Sequence, residues 1–412
     1  MKDLKLPLNK NEVEGILSQY GSPIYIYDEE GIRKKARKLK GSFSKLHNYK
    51  NFFAVKATPT PAILKILHEE GMGFDCSSKT ELTIMQKMGI TGDNIFFTSN
   101  NTSLEDFQLA VQLGATINLD DVTQISVFKT ALKDGPLNRV AVRYNPGNLK
   151  SGNQIIGEPV EAKYGMTQDQ IIQSFNELKQ LNINKLGIHT MVASNELIED
   201  YFTDTAKILL DIVDKTEKEA GVKISFINLG GGFGVNYKPE QAELAINKIS
   251  ESIEALLKER DRSDLTIFTE NGRYITGPHG YLVTKVRYVM EKFKKYIGVD
   301  ASMHNLMRPG MYGAYHHITV LGKEGLEPTN AYDIVGSLCE NNDKFAIDRK
   351  LPEIEEDDIL VIHDAGAHGH AMGFNYNGLT RSAEVLFNVD RSTKLIRRAE
   401  TTDQVLQNVI WE

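Results

Sequence analysis

The sequence predicts an α/β protein that combines a (β/α)8 TIM-like barrel with a C-terminal, mainly β domain. Eight short β-rich runs alternate with amphipathic segments over about 230 residues, which is the repeat of a (β/α)8 barrel. After about Tyr281 the alternation stops, and strand-like segments follow one another without long helices between them. A doubly wound parallel sheet is the alternative arrangement for the first part of the chain.

The eight predicted barrel strands are short runs rich in β-branched and aromatic residues. They are NFFAVKA (51–57), GFDCSS (73–78), NIFFT (94–98), TINLDD (116–121), RVAVRYN (139–145), KLGIHTMV (185–192), FINLGGG (226–232) and LTIFTENG (265–272). The segments between them show helical periodicity, with predicted helices at Pro61–His68, Leu104–Leu113, Gln170–Leu181, Ile198–Ala220 and Pro239–Leu257. Two helix starts carry capping-box patterns, Ser78-x-x-Glu81 and Thr167-x-x-Gln170.

The predicted second domain contains strand-like segments only. They are YLVTKVRYVM (281–290), HHITVLG (316–322), AYDIVGSL (331–338), DILVIHD (358–364), AEVLFNV (383–389) and TKLIRR (393–398). We therefore predict a barrel domain over residues 25–280 and a β domain over 281–412, with residues 1–24 as a candidate further part of the β domain.

The composition excludes several classes of partner. The chain has 412 residues, 41% of them hydrophobic, and a formal net charge of −7 with its basic residues scattered along the sequence. It has neither a basic stripe for nucleic acid nor an apolar run of about 18 residues for a membrane helix. We expect a cytoplasmic protein with no nucleic-acid or membrane partner.

Neither cysteines nor histidines predict a metal site. Cys76 and Cys339 are far apart and lack metal-ligand spacing. His363, Asp364, His368 and His370 form the one cluster that suggests a metal, since histidines two apart can share a strand face. Gly366 and Gly369 interrupt that strand, so we assign no metal.

Lys56 is the first candidate for chemistry. It ends the first predicted barrel strand, at the rim where barrel active sites lie. Apolar neighbours there are expected to lower the pKa of its amine, which suits a Schiff base with a carbonyl cofactor. The alternative is a strand-end lysine that reaches solvent.

Two further motifs end late barrel strands. Gly230, Gly231 and Gly232 lie in N-L-G-G-G-F-G, between a predicted strand and the helix predicted from Pro239, and their backbone amides can close around a phosphate. A plain turn is the alternative. Glu270, Asn271, Gly272 and Arg273 close the last strand, where a carboxylate can keep a pyridine nitrogen protonated. A structural ion pair is the alternative there.

Six ordered motifs, spread over nearly the whole chain, resemble those of the fold type III pyridoxal-phosphate decarboxylases, and within them the diaminopimelate decarboxylases. They are F-A-V-K-A around Lys56, N-L-G-G-G-F-G, E-N-G-R in place of the usual E-P-G-R, R-P-G-M-Y (308–312), S-L-C-E (337–340) and D-A-G-A-H-G with N-Y-N (364–369 and 375–377).

The resemblance implies that pyridoxal 5'-phosphate is the cofactor and that Lys56 carries it. Gly230 to Gly232 and Ser194 would hold the phosphate, and Glu270 would face the pyridine nitrogen. The remaining implied cofactor contacts are His189, Asn271, Gly272, Arg273 and Tyr376. The resemblance also implies a homodimer with a shared active site, in which Cys339 and Glu340 enter the partner's site and Cys339 protonates the carbanion left by carbon dioxide.

The implied substrate is meso-2,6-diaminopimelate, which would yield L-lysine and carbon dioxide. Its distal carboxylate must be paired on leaving water, and a guanidinium fork matches it. Arg273, Arg308 and Tyr312 resemble the family's carboxylate grip, Glu340 its ammonium contact and Tyr376 a shared contact. The alternatives are a decarboxylase of ornithine, lysine or a D-amino acid, and a non-catalytic pyridoxal-binding regulator.

Three residues depart from the family pattern. Met191 replaces the histidine that usually stacks on the cofactor ring, Ala193 replaces a glycine, and His368 replaces a tyrosine. Because residues two apart on a strand share a face, we expect Met191 to point with His189 and to lay its thioether against the ring.

Overall fold

The structure is a computed structural model that describes residues 4–132, 137–152, 157–181 and 183–412. The chain forms two compact units. The barrel unit contains Lys34–Val235 and Leu244–Tyr274. The sheet unit contains the residues before Lys34 together with Asn236–Glu243 and Ile275–Glu412.

Three elements precede the barrel: α1 (Lys10–Tyr20), β1 (Ile24–Asp28) and α2 (Glu29–Ser42). Asn9 caps α1, because its side chain accepts a hydrogen bond from the Glu12 N–H and the Glu12 carboxylate accepts one from the Asn9 N–H. This reciprocal pair satisfies two amides that no carbonyl within the helix can reach.

Eight parallel strands close into a barrel, in which each strand pairs with its neighbour in sequence and the last pairs with the first. They are β2 (Lys50–Ala54), β3 (Gly73–Cys76), β4 (Ile95–Thr98), β5 (Thr116–Leu119), β6 (Leu137–Arg143), β7 (Ile183–His189), β8 (Ile224–Asn228) and β9 (Thr266–Thr269). Each of the eight predicted runs overlaps one of these strands. The barrel prediction is confirmed over the doubly wound alternative.

Helices alternate with these strands. They are α3 (Pro61–Glu69), α4 (Lys79–Lys87), α5 (Leu104–Gln112), α6 (Gln124–Ala131), α7 (Gln168–Leu178), α8 (Glu199–Ala220), α9 (Ile246–Glu259) and α10 (Arg273–Thr276). The capping box at Thr167 and Gln170 forms as predicted. The one at Ser78 is only half formed, because the Glu81 carboxylate accepts from the Ser77 N–H instead.

One predicted helix begins later than the sequence suggests. Residues 239–245 are not helical, and α9 starts at Ile246. The physical reason is that Asn236–Glu243 packs in the sheet unit, where Gln241 closes a turn by accepting from the Lys238 N–H. The glycine loop after β8 is therefore not followed directly by a helix.

A group of aromatic side chains fills the middle of the barrel. Phe52, Phe96, Ala141, Phe226 and Phe268 form one buried cluster. The ring centroid of Phe268 lies 5.1 Å from those of both Phe52 and Phe226. These contacts form a dry layer across the barrel interior, as expected for a packed core rather than a pore.

The sheet unit is built on nine strands among the described residues. Besides β1, they are β10 (Gly280–Glu291), β11 (Lys295–Val299), β12 (Ile318–Val320), β13 (Asn330–Val335), β14 (Lys344–Leu351), β15 (Ile359–Ile362), β16 (Ala383–Phe387) and β17 (Thr393–Arg397). Two short helices, α11 (Arg308–Tyr312) and α12 (Thr402–Leu406), complete this unit. Strands β1, β11 and β14 were not among the predicted segments.

Strand β1 lies inside this sheet, between β10 and β16. It runs antiparallel to β10 and parallel to β16, with Ile24 paired to both Val283 and Ala383. Residues 25–33 and 275–280, which the sequence analysis placed in the barrel domain, thus belong to the sheet unit. Within the described ranges, no helix is both long and apolar enough to span a membrane.

Candidate active site

Lys56 lies just beyond the carboxyl end of β2, in a single 3-10 turn over Val55–Ala57. The strand itself ends at Ala54, two residues earlier than predicted. Lys56 Nζ is 3.4 Å from Asp75 Oδ2, at the end of β3, and 54% of the Lys56 side chain is exposed. The amine therefore sits at the barrel rim with a carboxylate beside it.

The charge of Lys56 is set by acids, which corrects the expected effect of burial. The Asp75 carboxylate is the main cause that raises the pKa of Lys56. Burial lowers that pKa, as the sequence analysis expected, but Glu270 and Glu81 add to the effect of Asp75 and the net shift is upward. The acids around Lys56 therefore favour the charged form of its amine.

Asp75 is almost fully buried, with 1% of its surface exposed. Burial and the nearby charge of Glu270 raise the pKa of its carboxyl, and Lys56 opposes them. Its Oδ1 is buried without a hydrogen-bond partner among the described residues. A buried oxygen without a hydrogen-bond donor lowers the stability of the folded protein. The unpaired Asp75 Oδ1 therefore indicates that a ligand with a donor binds at this rim.

Glu270 follows β9 and is held by two side chains. His189 Nε2, at the end of β7, lies 3.2 Å from Glu270 Oε2, and Asn228 Nδ2, at the end of β8, donates to Oε1 at 2.7 Å. Burial acts to raise the pKa of Glu270, but His189, Lys56 and Arg143 together outweigh it, and the pKa lies below its usual value. Glu270 is thus a buried carboxylate held in its ionised form.

A second acid and base pair adjoins this group. Arg143, at the end of β6, donates from Nη1 to Asp120 Oδ1 at 3.1 Å, and its guanidinium lies 4.2 Å from the centroid of the Tyr164 ring. Burial raises the pKa of Asp120, and Arg143 opposes that effect. The guanidinium thereby contributes positive charge to the same rim as Glu270.

The glycine loop after β8 depends on close backbone contacts. A Cβ atom added to Gly230 would lie 2.4 Å from the carbonyl oxygen of Thr190. A Cβ on Gly231 would lie 2.6 Å from the carbonyl oxygen of Glu270, and a Cβ on Gly232 would lie 2.7 Å from the carbonyl oxygen of Ala193. Gly230 and Gly232 also adopt φ values of 69° and 103°. Only glycine satisfies both conditions, so the backbone itself forms this part of the rim.

Met191 is placed differently from the prediction. Strand β7 ends at His189, so Met191 lies in the following segment and not on a shared strand face. Its Sδ accepts a hydrogen bond from the Gly231 N–H at 3.1 Å. The thioether therefore lies against the glycine loop in this structure.

Arg273 and its neighbours complete the barrel rim. Arg273 Nη2 donates to Ser194 Oγ at 3.3 Å. Asn271 Oδ1 accepts from the Phe233 N–H at 3.0 Å, which ties the end of β9 to the glycine loop. A Cβ on Gly272 would lie 2.8 Å from the Ala57 Cβ, next to Lys56. The structure thus brings every predicted site residue of the barrel unit to one rim.

The groups at this rim fit pyridoxal phosphate. The cradle formed by Gly230 to Gly232 admits a phosphate where a side chain would not fit, and Arg273 with Ser194 adds a cation and a hydroxyl nearby. Glu270 is the ionised acid that a pyridinium nitrogen requires. Besides Asp75 Oδ1, His189 Nδ1 is buried without a partner among the described residues, so polar positions remain to be filled.

In the sheet unit, Arg308 is buried and ordered by His316. His316 Nδ1 lies 2.8 Å from the His363 carbonyl oxygen, so Nδ1 is the donor and Nε2 accepts from Arg308 Nη1 at 2.7 Å. The Arg308 guanidinium lies 4.5 Å from the centroid of the Tyr237 ring. Tyr312, at the end of α11, is half-buried.

Cys339, Glu340 and Tyr376 are all exposed in the sheet unit. The Cys339 N–H donates to Asn377 Oδ1 at 2.8 Å, which connects two segments that the sequence analysis singled out separately. Tyr376 lies beside Asn377 in a short turn and is 52% exposed. Glu340 Oε1 accepts from the Asn342 N–H at 3.0 Å.

Several residues of the site were not identified from the sequence. Asp75, Asn228 and Arg143 all lie at or next to the carboxyl ends of barrel strands, and this position is the signal that could have identified them. Glu81 was noted only as a capping residue, although its charge also acts on Lys56. His316 was noted only as part of a strand, and nothing local distinguishes it from a core histidine.

Comparison with known proteins places these features in one family. The pyridoxal-dependent decarboxylase family, by its pyridoxal binding domain, matches residues 29–277. The chain is 39% identical over 401 residues to Protein TabA of Pseudomonas amygdali pv. tabaci, covering 97% of this chain and 94% of TabA. It is 34% identical to a diaminopimelate decarboxylase of Methanothermobacter thermautotrophicus, and the match covers 96% of this chain and 93% of that protein.

A solved structure agrees over the same length. The diaminopimelate decarboxylase of M. jannaschii, in complex with L-lysine, matches with a TM-score of 0.90 at 27% identity and covers 97% of this chain and 94% of that one. The similarity therefore includes both units, and the rim groups fit the cofactor of the matched family. The chain belongs to the pyridoxal-dependent decarboxylases, carboxy-lyases that use pyridoxal phosphate, and is similar over its whole length to diaminopimelate decarboxylases.

Proposed function

We propose that this protein decarboxylates meso-2,6-diaminopimelate to L-lysine. The observation that carries the proposal is the arrangement at the barrel rim, where an acid-flanked Lys56 lies near the buried Glu270 and His189 pair. Supporting it are the 34% identity to a named diaminopimelate decarboxylase and the structural match to an enzyme that binds L-lysine.

The barrel residues have separate roles in binding the cofactor. Pyridoxal phosphate, when bound, supplies the electron-accepting ring that stabilises the carbanion left by carbon dioxide. Lys56 carries the cofactor, and the glycine loop with Ser194 and Arg273 binds its phosphate. Glu270 holds a proton at the ring nitrogen, and His189 and Asn228 keep the Glu270 carboxylate oriented and ionised.

The residues of the sheet unit are proposed to act on the substrate. Arg308 and Tyr312 bind the distal carboxylate, and the hydrogen bond to His316 presets the plane of the Arg308 guanidinium. Glu340 binds the distal ammonium, and Tyr376 contacts both substrate and cofactor. Cys339 delivers the proton, from one chain of a homodimer to the active site of the other; its exposed position is compatible with that role.

The test is carbon dioxide release from a panel of meso-diaminopimelate, ornithine, lysine and arginine. We expect turnover of diaminopimelate in preference to the others. Arg308→Lys keeps the charge but loses the planar fork, so KM for diaminopimelate should rise about tenfold or more. Arg391→Lys, which alters an exposed guanidinium paired with Glu12 in the same unit, is the matched control and should leave KM unchanged. Equal effects of both variants, or no turnover of diaminopimelate, would contradict the proposal.

A second candidate is decarboxylation of another amino acid, such as ornithine, lysine or a D-amino acid. It is supported by the 39% identity to Protein TabA, a name that states no substrate, and by Met191 in place of the usual histidine. The same panel distinguishes the two candidates, because a different amino acid would then be the preferred substrate.

A further inference from the structure

A cavity of about 420 Å³ opens at the end of the barrel opposite to Lys56. Its walls are the amino-terminal ends of β2, β6, β7, β8 and β9 with the segments that lead into them. Because parallel barrel strands all begin at one end, this N-terminal cavity is separate in position from the rim that carries Lys56 and Glu270. Its volume is in the range of small-molecule sites.

Basic side chains dominate the lining of the N-terminal cavity. Four cationic residues face two carboxylates there, namely Lys50, Arg139, Lys185 and Lys223 against Asp93 and Asp264. This excess of positive charge is unexpected in a chain whose formal net charge is −7. Lys223 and Asp264 form an exposed pair at 3.4 Å, so the uncompensated charge lies with the other three cations.

Arg139 is the most deeply placed of these cations. Only 7% of its surface is exposed, and it shares Asp93 with Lys50: Arg139 Nη2 lies 2.8 Å from Asp93 Oδ1, and Lys50 Nζ donates to the Asp93 carbonyl oxygen at 3.0 Å. Arg139 Nε is buried and has no hydrogen-bond partner in the part of the chain that the structure describes. A buried N–H of a charged group without an acceptor is costly, and an anion would supply that acceptor.

The lowered pKa of Lys50 is consistent with the same local excess of positive charge. Burial is the main cause that lowers its pKa to about 8, and the repulsion of Arg139 adds to it, while Asp93 opposes both. Lys50 and Arg139 are therefore neighbouring cations; Arg139 is paired with the Asp93 carboxylate, whereas Lys50 donates to the Asp93 carbonyl oxygen. Binding of an anion between them would relieve their repulsion.

The aromatic layer divides this cavity from the opposite rim. Arg139, Ala141 and Arg143 alternate along β6 and share one face, so the two arginines lie at opposite ends of the barrel with Ala141 between them. Ala141 belongs to the buried cluster that includes Phe226 and Phe268, and these two rings also form the inner wall of the N-terminal cavity. The guanidinium of Arg139 lies 5.2 Å from the Phe268 ring centroid.

We propose that the N-terminal cavity binds a small organic phosphate, with Arg139 and Lys50 holding the phosphoryl oxygens and the exposed Lys185 and Lys223 adding to its capture. A guanidinium and an ammonium together provide the fork and the point charge that phosphate groups accept. The wall formed by Phe226 and Phe268 can contact the apolar part of such a ligand. Binding there would stabilise the folded barrel, since only the folded chain brings these cations together.

The first experiment uses the protein loaded with pyridoxal phosphate, so that the glycine loop is already filled. Equilibrium dialysis against radiolabelled inorganic phosphate, at constant ionic strength with chloride as the balancing anion, should show one saturable site per chain. Glycerol 3-phosphate should compete at least as well as inorganic phosphate, and succinate should compete poorly. A higher midpoint of thermal unfolding should accompany saturation. If phosphate does not bind saturably, or if succinate competes equally, the proposal is wrong.

Variants locate the site. Arg139→Met keeps the side-chain length without the charge and should weaken phosphate binding about tenfold or more. The double variant Lys185→Gln with Lys223→Gln changes only exposed residues, so it should fold normally and still weaken binding several-fold. Lys87→Gln, exposed on α4, is the matched control and should change nothing. Phosphate affinity that is unchanged in both Arg139→Met and the double variant, or binding that is lost in Ser194→Ala instead, would assign the phosphate elsewhere and overturn the proposal.

Discussion

Lys56 owes its charge state to the carboxylates around it rather than to burial. Asp75 is the principal cause, and Glu270 and Glu81 act in the same direction. An amine must lose its proton before it can attack a carbonyl. Because these acids raise the pKa of Lys56, its neutral amine becomes available only at higher pH. Their benefit is positional, because the 3.4 Å contact with Asp75 holds the amine at the rim.

Asp75→Asn should therefore lower the pKa of Lys56. Since the neutral amine then becomes available at lower pH, the rate at which the protein captures added pyridoxal phosphate should reach its plateau at lower pH than in the wild type. Stopped-flow absorbance of the bound cofactor across pH measures this. Glu105→Gln, a comparable loss of charge in the first turn of α5, should leave the profile unchanged. A shift to higher pH would show that Asp75 does not control the amine.

Among the individual site residues, the sequence identified those that lie in glycine-containing or otherwise distinctive motifs, such as Lys56 and Glu270. It did not identify Asp75, because an aspartate near the end of a strand has many possible roles until the neighbouring strand is known. It also misjudged the pKa of Lys56 for the same reason. The acids that determine this pKa come from α4 and from other strands, 19 residues away in the nearest case.

Among the elements, the turn that carries Tyr376 is held by one carboxylate. Glu400 Oε2 accepts from Asn375 Nδ2 at 2.7 Å and from the Arg381 N–H at 2.9 Å, and Oε1 accepts from Arg381 Nε at 2.8 Å. Burial acts to raise the pKa of Glu400, but these donors outweigh it and bring the pKa to about 2. The ionised carboxylate thus fixes both ends of the turn.

Glu400→Gln should lower the unfolding free energy at neutral pH by about 1 kcal/mol, since solvent screens this partly exposed carboxylate. The pKa of Glu400 is lower in the folded than in the unfolded protein, so its contribution is present above about pH 4.5 and is lost as the pH falls toward about 2. The difference between wild type and variant in urea unfolding should shrink over that range. Exposed Glu356→Gln is the control. A difference that persists unchanged at acid pH would exclude an electrostatic origin.

Elements were predicted well where their pattern is local. All eight barrel strands were located because each is an apolar run that ends in glycine or a polar residue. The start of α9 was misplaced because residues 239–243 pack in the sheet unit and the helix begins only at Ile246. Apart from Pro239 itself, no helix-breaking residue in the sequence indicates this. The partners of β1 could not be predicted, since a strand's sequence does not state where in the chain its neighbours lie.

The proposed shared active site predicts how dimers of two different variants behave. Lys56→Ala and Cys339→Ala should each be inactive in purified form. If Cys339 acts in the partner's active site, equal amounts dissociated and reassociated together should recover about one quarter of the wild-type activity, because half of the dimers then contain one intact site.

The control mixes Lys56→Ala with Lys56→Arg, which damage the same position and should recover nothing. Successive purification through a different affinity tag on each variant must show that mixed dimers form. Mixed dimers that remain inactive would place Cys339 and Lys56 of the same chain in one site.

The position of β1 has a consequence for how the protein is made. During synthesis β1 emerges before the barrel strands, yet one of its neighbours is β16, which follows them, and the Tyr27 hydroxyl donates to a Glu384 carboxylate 357 residues further along the chain. The barrel strands can pair while synthesis continues, whereas β1 cannot pair with β16, and keeps apolar residues unburied, until β16 has been translated. We therefore expect nascent chains to depend on chaperones that shield this amino-terminal segment.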